Sequence, residues 1–271
     1  MVKVILITGC SSGFGYLTAK LLSSNGHIIY AGVRNEKDLK IFNQKNIKPI
    51  LLDVTWSQDK INKVIEVIKS NESKIDVLIN NAGFGFLGVT GSFSVEELKE
   101  QFETNVFGVF KTTKAVLPYM RKQKRGLVIN ISSIAGIQTS AFYGVYSASK
   151  FALEALATSM RAEESLYNID FVSVNPGSHV TKFWENVKFP KELELFNKLM
   201  ADKINSKLAR FRADPMNVTY TIERIINTER PRKNYLVGLS AYLLSIANWL
   251  LPYGVIDFVS KKVMVNLGKK G

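Results

Sequence analysis

Tyr146 and Lys150 stand four residues apart in Tyr146-Ser147-Ala148-Ser149-Lys150, within a stretch whose apolar spacing predicts a helix. Residues at that spacing share one helix face. A phenol with a pKa near ~10 is a poor base at neutral pH. An ammonium beside it favours the phenolate and brings proton exchange within reach of working pH. The same pair would also serve as an ordinary surface pair. A second feature shifts the balance: Thr8-Gly9-Cys10-Ser11-Ser12-Gly13-Phe14-Gly15 follows a short apolar run and leads into a helical pattern. Glycines there let the backbone turn tightly and approach a pyrophosphate, whose charge meets the amides at a helix N-terminus. Tyr143, seven residues before Lys150, lies about two turns or ~10 Å away along a helix. That is too far to share the ammonium, and Tyr143 is expected to line a substrate pocket. Ser132 and Ser133 are adjacent and point to opposite sides if a strand still runs there.

The elements that must position these residues alternate. Val2–Ile7, Ile28–Val33, Ile50–Leu52, Val77–Ile79, Leu127–Ile131 and Phe171–Val174 read as strands, with Tyr235–Val237 a seventh between Pro231 and Gly238. Their near-continuous apolarity suggests burial on both faces. Leu17–Ser24, Ile61–Lys69, Val95–Tyr119 and Ser147–Tyr167 have helical spacing. Such alternation predicts an α/β fold: a single Rossmann-like, doubly wound parallel sheet of about seven strands with helices on both faces. Residues 1–271 read as one domain. Between Thr181 and Phe211 aromatic and leucine residues lie among lysines without a strand pattern, predicting one or two amphipathic helices in a substrate lid over 182–212. A C-terminal tail follows over 241–271.

Composition narrows the rest. Hydrophobic residues make up 46% and charged residues 22% of 271 residues, which excludes disordered and collagenous architectures. One cysteine, Cys10, allows no internal disulfide, and with two histidines it leaves no Cys/His zinc set, so no metal is expected. Cys10 reads as a small filler and His27 as a surface residue. The net charge is +13, which attracts polyanions. The excess is scattered, and the one dense run, Arg121–Arg125, is expected in a solvated loop; no nucleic acid is expected. No secretory signal is visible, and Tyr235–Leu251 is shorter than the ~20 residues of a membrane span. A cytoplasmic protein, with peripheral membrane association as an option, is the expectation.

The glycine loop has the spacing TGxxxGxG, and in this it resembles the short-chain dehydrogenase/reductase family. Asn80-Asn81-Ala82-Gly83 looks like that family's NNAG motif, Asn105 like its helix asparagine, and Ser133, thirteen residues before the YxxxK of Tyr146 and Lys150, like its serine. Pro176-Gly177, followed by Thr181, looks like its PG segment. The wording Tyr-Ala-Gly-Val-Arg-Asn and the long tail are similar to the steroid- and retinol-dehydrogenase-like branch. The resemblance implies roles. Tyr146 would exchange a proton with a ketone or alcohol oxygen. Lys150 would lower the tyrosine pKa and hold the nicotinamide ribose. Ser133 would hydrogen-bond the substrate oxygen, and Asn105 would hold a water linking Lys150 to solvent. Cofactor contacts are implied for Thr8, Gly9, Ser11, Ser12, Gly13, Phe14, Gly15, Asp53, Val54, Asn81, Ala82, Gly83, Pro176, Gly177 and Thr181. His179 stands where the family usually has an aliphatic residue beside the carboxamide, and is a candidate contact.

Charge bears on cofactor choice. An acid at the end of the second strand would favour NAD, but Val33 holds that place and Arg34 follows. A guanidinium pairs with phosphate bidentately, so NADP (NADPH) is expected with NAD as the alternative; Arg34 could equally be a solvated loop residue. The aromatic excursion, with Phe183 and Trp184, suggests a lipophilic substrate pocket, although packing or a dimer interface would show the same pattern. The reading is an oxidoreductase for a lipophilic secondary alcohol or ketone, steroid-, retinoid- or acyl-like, assembled as a homodimer or homotetramer. A non-catalytic NAD(P)-binding sensor or scaffold and an epimerase or dehydratase relative are the alternatives. The tail would pack on the protein, on a sister subunit, or on a membrane interface.

Overall fold

The computed structural model describes residues 1–190, 212–250 and 261. Seven strands form one all-parallel sheet: β1 (Val4–Ile7), β2 (Ile28–Val33), β3 (Ile47–Leu51), β4 (Val77–Asn80), β5 (Gly126–Ile131), β6 (Ile169–Pro176) and β7 (Asn234–Val237), in the order β3-β2-β1-β4-β5-β6-β7. Side chains alternate across it as the pleat demands. On β1, Ile5 and Ile7 enter one core with Val218, Ile222 and Ile225, whereas Val4 and Leu6 enter the other with Ile61, Ile65 and Ile68. Both faces are therefore dry, which is why the strands read as continuous apolar runs. Pro49, inside β3, lacks an N–H and is tolerated because β3 is an edge strand.

The covering helices among the described residues are α1 (Gly13–Ser24), α2 (Gln58–Glu72), α3 (Val95–Phe102), α4 (Val109–Gln123), α5 (Gly144–Glu163), α6 (Met216–Ile226) and α7 (Leu239–Leu250). Ile61, Ile65 and Ile68 form the buried stripe of α2. The chain order reverses between β1 and β4, so a crevice opens there at the carboxyl ends of the strands.

Three expectations need correction. The single helix expected over 95–119 is interrupted: a capping box of Ser94 and Glu97 starts α3, and a π-helical turn, Glu103–Gly108, separates it from α4. The run Arg121–Arg125 is a loop only from Lys124 on, because α4 runs through Gln123. Arg121 and Lys122 complete α4, Lys124 ends it in the left-handed region (φ 50°), and Arg121 forks onto the buried Glu164 carboxylate, with Nε to Oε2 at 2.8 Å. His27 is buried, and its Nδ1 accepts the Lys3 N–H at 3.2 Å, closing the start of β1. The apolar stretch 235–250 divides between β7 and α7 as expected, because Gly238 (φ +89°) turns the chain.

Of the expected lid, residues 191–211 lie outside the described residues, and so do tail residues 251–260 and 262–271. The described base of the lid holds a 3-10 turn, Trp184–Asn186. It also pairs with the core, Phe86 with Lys188 and His179 with Ala213.

Candidate active site

The glycine loop leaves β1 at the switch point. Thr8, buried, accepts the backbone N–H groups of Asn81 and Ala82 on Oγ1, each at 3.0 Å. The Asn81 amide returns the tie by donating to the carbonyls of Thr8 (3.0 Å) and Gly9 (2.9 Å). Gly9 has φ +70°, and a Cβ there would lie 2.8 Å from the Ala82 Cα; a Cβ on Gly15 would lie 2.5 Å from the Gly9 oxygen. Both positions require glycine. Ser12 caps α1 with extended backbone and no side-chain hydrogen bond. The first amides of α1 at Gly13, Phe14 and Gly15 are thus left to an anion, as a pyrophosphate site requires. Ser11 is exposed on the loop. Cys10 is buried with its thiol donating to the Ile7 carbonyl at 3.3 Å, and burial pushes its pKa up, so it is inert filler.

Farther along the strand ends, Arg34 is exposed directly after β2. Asp53 accepts Thr55 N–H (2.9 Å) and Thr55 hydroxyl (2.8 Å) on one oxygen, Oδ1. Val54 is buried against Gly108 of the π turn, where a Cβ would meet its Cγ2 at 2.7 Å. These positions suit the adenosine end of a dinucleotide, with the glycine loop between them and α5.

The residues expected to do acid–base work converge on the other side. Tyr146 is 7% exposed and Lys150 6%. Burial pushes Tyr146 up to about 12, opposed by a hydrogen bond with Ser133. Burial brings Lys150 down to about 8, opposed by the charge of Glu154. The expectation that the ammonium would pull the phenol down is not met. Lys150 Nζ donates to the Ile131 carbonyl at 2.9 Å and lies 5.8 Å from the Tyr146 ring centroid, so desolvation dominates at the hydroxyl. Tyr146 therefore rests as the neutral phenol.

Asn105 sits on the π turn, fully buried. Its amide donates to the Phe84 carbonyl (3.0 Å) and Ser149 Oγ (3.2 Å), and its Oδ1 accepts the Phe84 N–H (3.2 Å). One Oδ1 lone pair is left for a water. A Cβ on Gly83 would lie 3.1 Å from that Oδ1 and 3.8 Å from Lys150 Nζ, so Asn105 and Lys150 border the same space. Ser133 is extended at the end of β5, its Oγ accepting Ala135 N–H at 3.1 Å. Ser132 Oγ is buried without a partner and faces Gly136 instead.

Tyr143 caps α5 and packs with Leu87, Tyr146, Phe183, Trp184, Val187 and Phe189 in an apolar cluster. Gly85 makes room for it, since a Cβ there would lie 2.8 Å from Phe183 Cζ and 3.3 Å from Tyr146 Cδ2. Pro176 and Gly177 close β6, and Thr181 Oγ1 accepts the Phe183 N–H at 3.4 Å. His179 is buried, with Nδ1 3.1 Å from the Gly177 carbonyl and its ring edge-on to Phe14 at 5.5 Å. Burial lowers its pKa, so it is neutral, and Nε2 has no partner. Sequence reasoning missed Arg212, stacked 4.4 Å over Trp184, and the Glu154–Asn175 contact. A carboxylate four residues beyond Lys150 was the available signal for the second; nothing in the sequence marked the first.

With the glycine loop at the switch point and Ser133, Tyr146 and Lys150 gathered beside it, the comparison with known families is decisive: the model described as short chain dehydrogenase matches residues 3–191. The chain belongs to the short-chain dehydrogenase family. This makes it an NAD(P)-dependent oxidoreductase with a Rossmann-like sheet. Among curated relatives, it is 39% identical over 263 residues to a 3-ketodihydrosphingosine reductase of Bacteroides thetaiotaomicron, covering 94% of this chain and 96% of that one. It is 28% identical to an NADPH-dependent 3-dehydrocapnine reductase of Ornithobacterium rhinotracheale, covering 98% of each. A solved short-chain dehydrogenase from Streptomyces avermitilis superposes with a TM-score of 0.81 at 28% identity, covering 99% of this chain and 98% of that one. Among the described residues, this short-chain dehydrogenase has no group of three or more metal-ligating side chains and no helix long and apolar enough to cross a membrane.

Proposed function

We propose that the enzyme reduces a long-chain lipophilic ketone with NADPH. The observation that carries this reading is the placement of Tyr146, hydrogen-bonded with Ser133, one turn from Lys150 and in contact with the apolar Tyr143–Phe183–Trp184 cluster. A phenol at that place is the acid that ketone reduction needs. A nicotinamide, when bound, supplies the hydride. Ser133 and Tyr146 hydrogen-bond the ketone oxygen and stabilise charge as it develops there. The Tyr146 hydroxyl then gives up its proton, and the Lys150 ammonium, close to its own pKa at working pH, favours the phenolate left behind. A water on Asn105 Oδ1 returns the proton from solvent.

The bare amides at the start of α1 and the space enforced by Gly9 and Gly15 fit a dinucleotide pyrophosphate. Arg34, with Val33 in place of an acid, supports NADPH, in keeping with the NADPH named for the Ornithobacterium relative. The 3-ketodihydrosphingosine named for the Bacteroides relative makes that ketone the first compound to test. NADPH consumption with this ketone, a long-chain 3-ketoacyl thioester and a steroid ketone is the experiment. Turnover of the first or second supports the reading; turnover of the steroid alone, or of none, overturns it.

Peripheral membrane contact belongs to the same proposal. Helix α7 carries no charge, and Leu239, Leu243, Ile246, Trp249 and Leu250 are each more than half exposed. It leaves the sheet beside the site, where Ser178 N–H donates to Ser240 Oγ at 3.0 Å. With a net charge of +13, an anionic bilayer suits it. Cosedimentation with phosphatidylglycerol vesicles, lost in Leu243→Glu, supports the contact; equal recovery of both proteins in the supernatant overturns it.

A further inference from the structure

A carboxylate outside the Ser-Tyr-Lys set ties its three supporting elements together. Glu154 lies one turn beyond Lys150 on α5, half-buried. Its Oε1 accepts from Asn175 Nδ2 at 2.5 Å, and the same nitrogen donates to the Ser133 carbonyl at 3.2 Å. Asn175 is fully buried near the end of β6, just before Pro176-Gly177. Its Oδ1 has no partner, so the two acceptors fix the amide: turned over, its oxygen would face a carboxylate and a carbonyl. An orphaned buried oxygen is costly, and the site tolerates it to keep Nδ2 between Glu154 and Ser133. The turn after β5 lies down on the same stretch of α5. A Cβ on Gly136 would meet Lys150 O at 3.1 Å and Glu154 Cγ at 3.2 Å.

Lys150 is enclosed by Tyr146 and Glu154 from α5, the Ile131 carbonyl from β5, and the neutral Asn105 across Gly83. Among the described residues, Glu154 is the one group whose charge raises its pKa.

We propose that Glu154 is a positioning residue of this enzyme: through Asn175 it fixes the backbone of Ser133, and from one turn along the same helix it sets a carboxylate beside Lys150. The inference rests on the reading of Ser133, Tyr146 and Lys150 as the reactive set. Removing the charge alone is then distinguishable from removing the hydrogen-bond acceptor.

Two variants separate the parts. Glu154→Gln keeps an oxygen for Asn175 and loses the charge; Glu154→Leu loses both. The direct readout needs no turnover: the titration of Lys150 by NMR in cofactor-free protein with 13Cε-labelled lysine, its resonance assigned by its disappearance in Lys150→Met. The midpoint falls in Glu154→Gln by about half a unit or more, as loss of a nearby opposite charge requires. Ketone reduction by Glu154→Gln then declines at correspondingly lower pH and is restored on the acid side. In Glu154→Leu, kcat falls about tenfold or more at every pH while NADPH affinity changes by less than about threefold, because Ser133 loses its brace. An unchanged Lys150 midpoint in Glu154→Gln overturns the proposal. So does a Glu154→Leu enzyme with wild-type kcat, or one that loses cofactor affinity and kcat together. Failure of wild type to reduce any ketone would count against the reductase reading and leave the titration result standing on its own.

Discussion

Replacing Gly15 by alanine tests the geometry of the dinucleotide cradle. Its backbone is helical, so no left-handed strain arises, and alanine in a helix is favoured over glycine by about 1 kcal/mol. Against that, the new Cβ would lie 2.5 Å from the Gly9 oxygen and 2.5 Å from Asn81 Nδ2. Relief requires moving backbone at Gly9 or withdrawing the Asn81 amide from the Thr8 and Gly9 carbonyls. Leaving a buried donor unpaired costs about 1–3 kcal/mol, and overpacking a further ~1–3 kcal/mol. The net loss is about 1–5 kcal/mol, or about 2–20 °C in Tm for a domain of this size. Because Gly9 and Asn81 also shape the loop over the first amides of α1, NADPH affinity falls about tenfold or more. Calorimetry with a fluorescence titration of NADPH measures both. Gly26→Ala is the control, with φ +85° and nothing within 4 Å of its Cβ; it costs about 1–2 kcal/mol from backbone alone and leaves NADPH binding unchanged. A Gly15→Ala protein with wild-type Tm and NADPH affinity would refute the cradle.

Arg34→Ala removes a charge-assisted contact worth about 1.5–3 kcal/mol, so NADPH affinity drops about 10–100-fold while NADH affinity does not change; equal losses for both nucleotides in parallel titrations would deny Arg34 a phosphate. For pH, the sign follows from two groups. Tyr146, pushed up to about 12, stays protonated throughout the neutral range, whereas Lys150, brought down to about 8, loses its charge as pH rises through that value. Ketone reduction at saturating NADPH is therefore level below pH about 8 and declines above it, and a rate that rises through pH 8 would contradict the assignment. Glu164→Ala strands the Arg121 guanidinium at the end of α4 and lowers Tm by a few degrees with kcat intact, since the pair lies away from the strand ends that carry the site; a loss of kcat at unchanged Tm would count against that separation.

The fold was legible because β1, β2, β4, β5 and β6 are buried on both faces and α2 and α6 show clear apolar stripes. The conjunction of glycine loop, Asn81, Ser133, Tyr146 and Lys150 was legible because each element sits at the carboxyl end of a strand or on the helix beside it. The π turn at Glu103–Gly108 was not, since widening one turn hardly alters the apolar pattern, though it is what buries Asn105 beside Lys150. The balance at Tyr146 also escaped. Spacing alone puts an ammonium on the same helix face, but the Lys150 hydrogen bond goes to the Ile131 carbonyl, which no helical pattern reveals. Glu154 and Asn175 meet only because α5 lies over β6, an approach between segments 21 residues apart.

The most direct test is Tyr146→Phe, measured for NADPH affinity and for reduction of the ketone that wild type turns over. The phenyl ring keeps the packing against Phe183 and loses the hydroxyl, with its proton and its hydrogen bond to Ser133. NADPH affinity within about threefold of wild type, with reduction lower by about 10²–10⁴, is the expected result for loss of a general acid. A variant that binds NADPH and still reduces the ketone near the wild-type rate would contradict the assignment of Tyr146 as the proton donor.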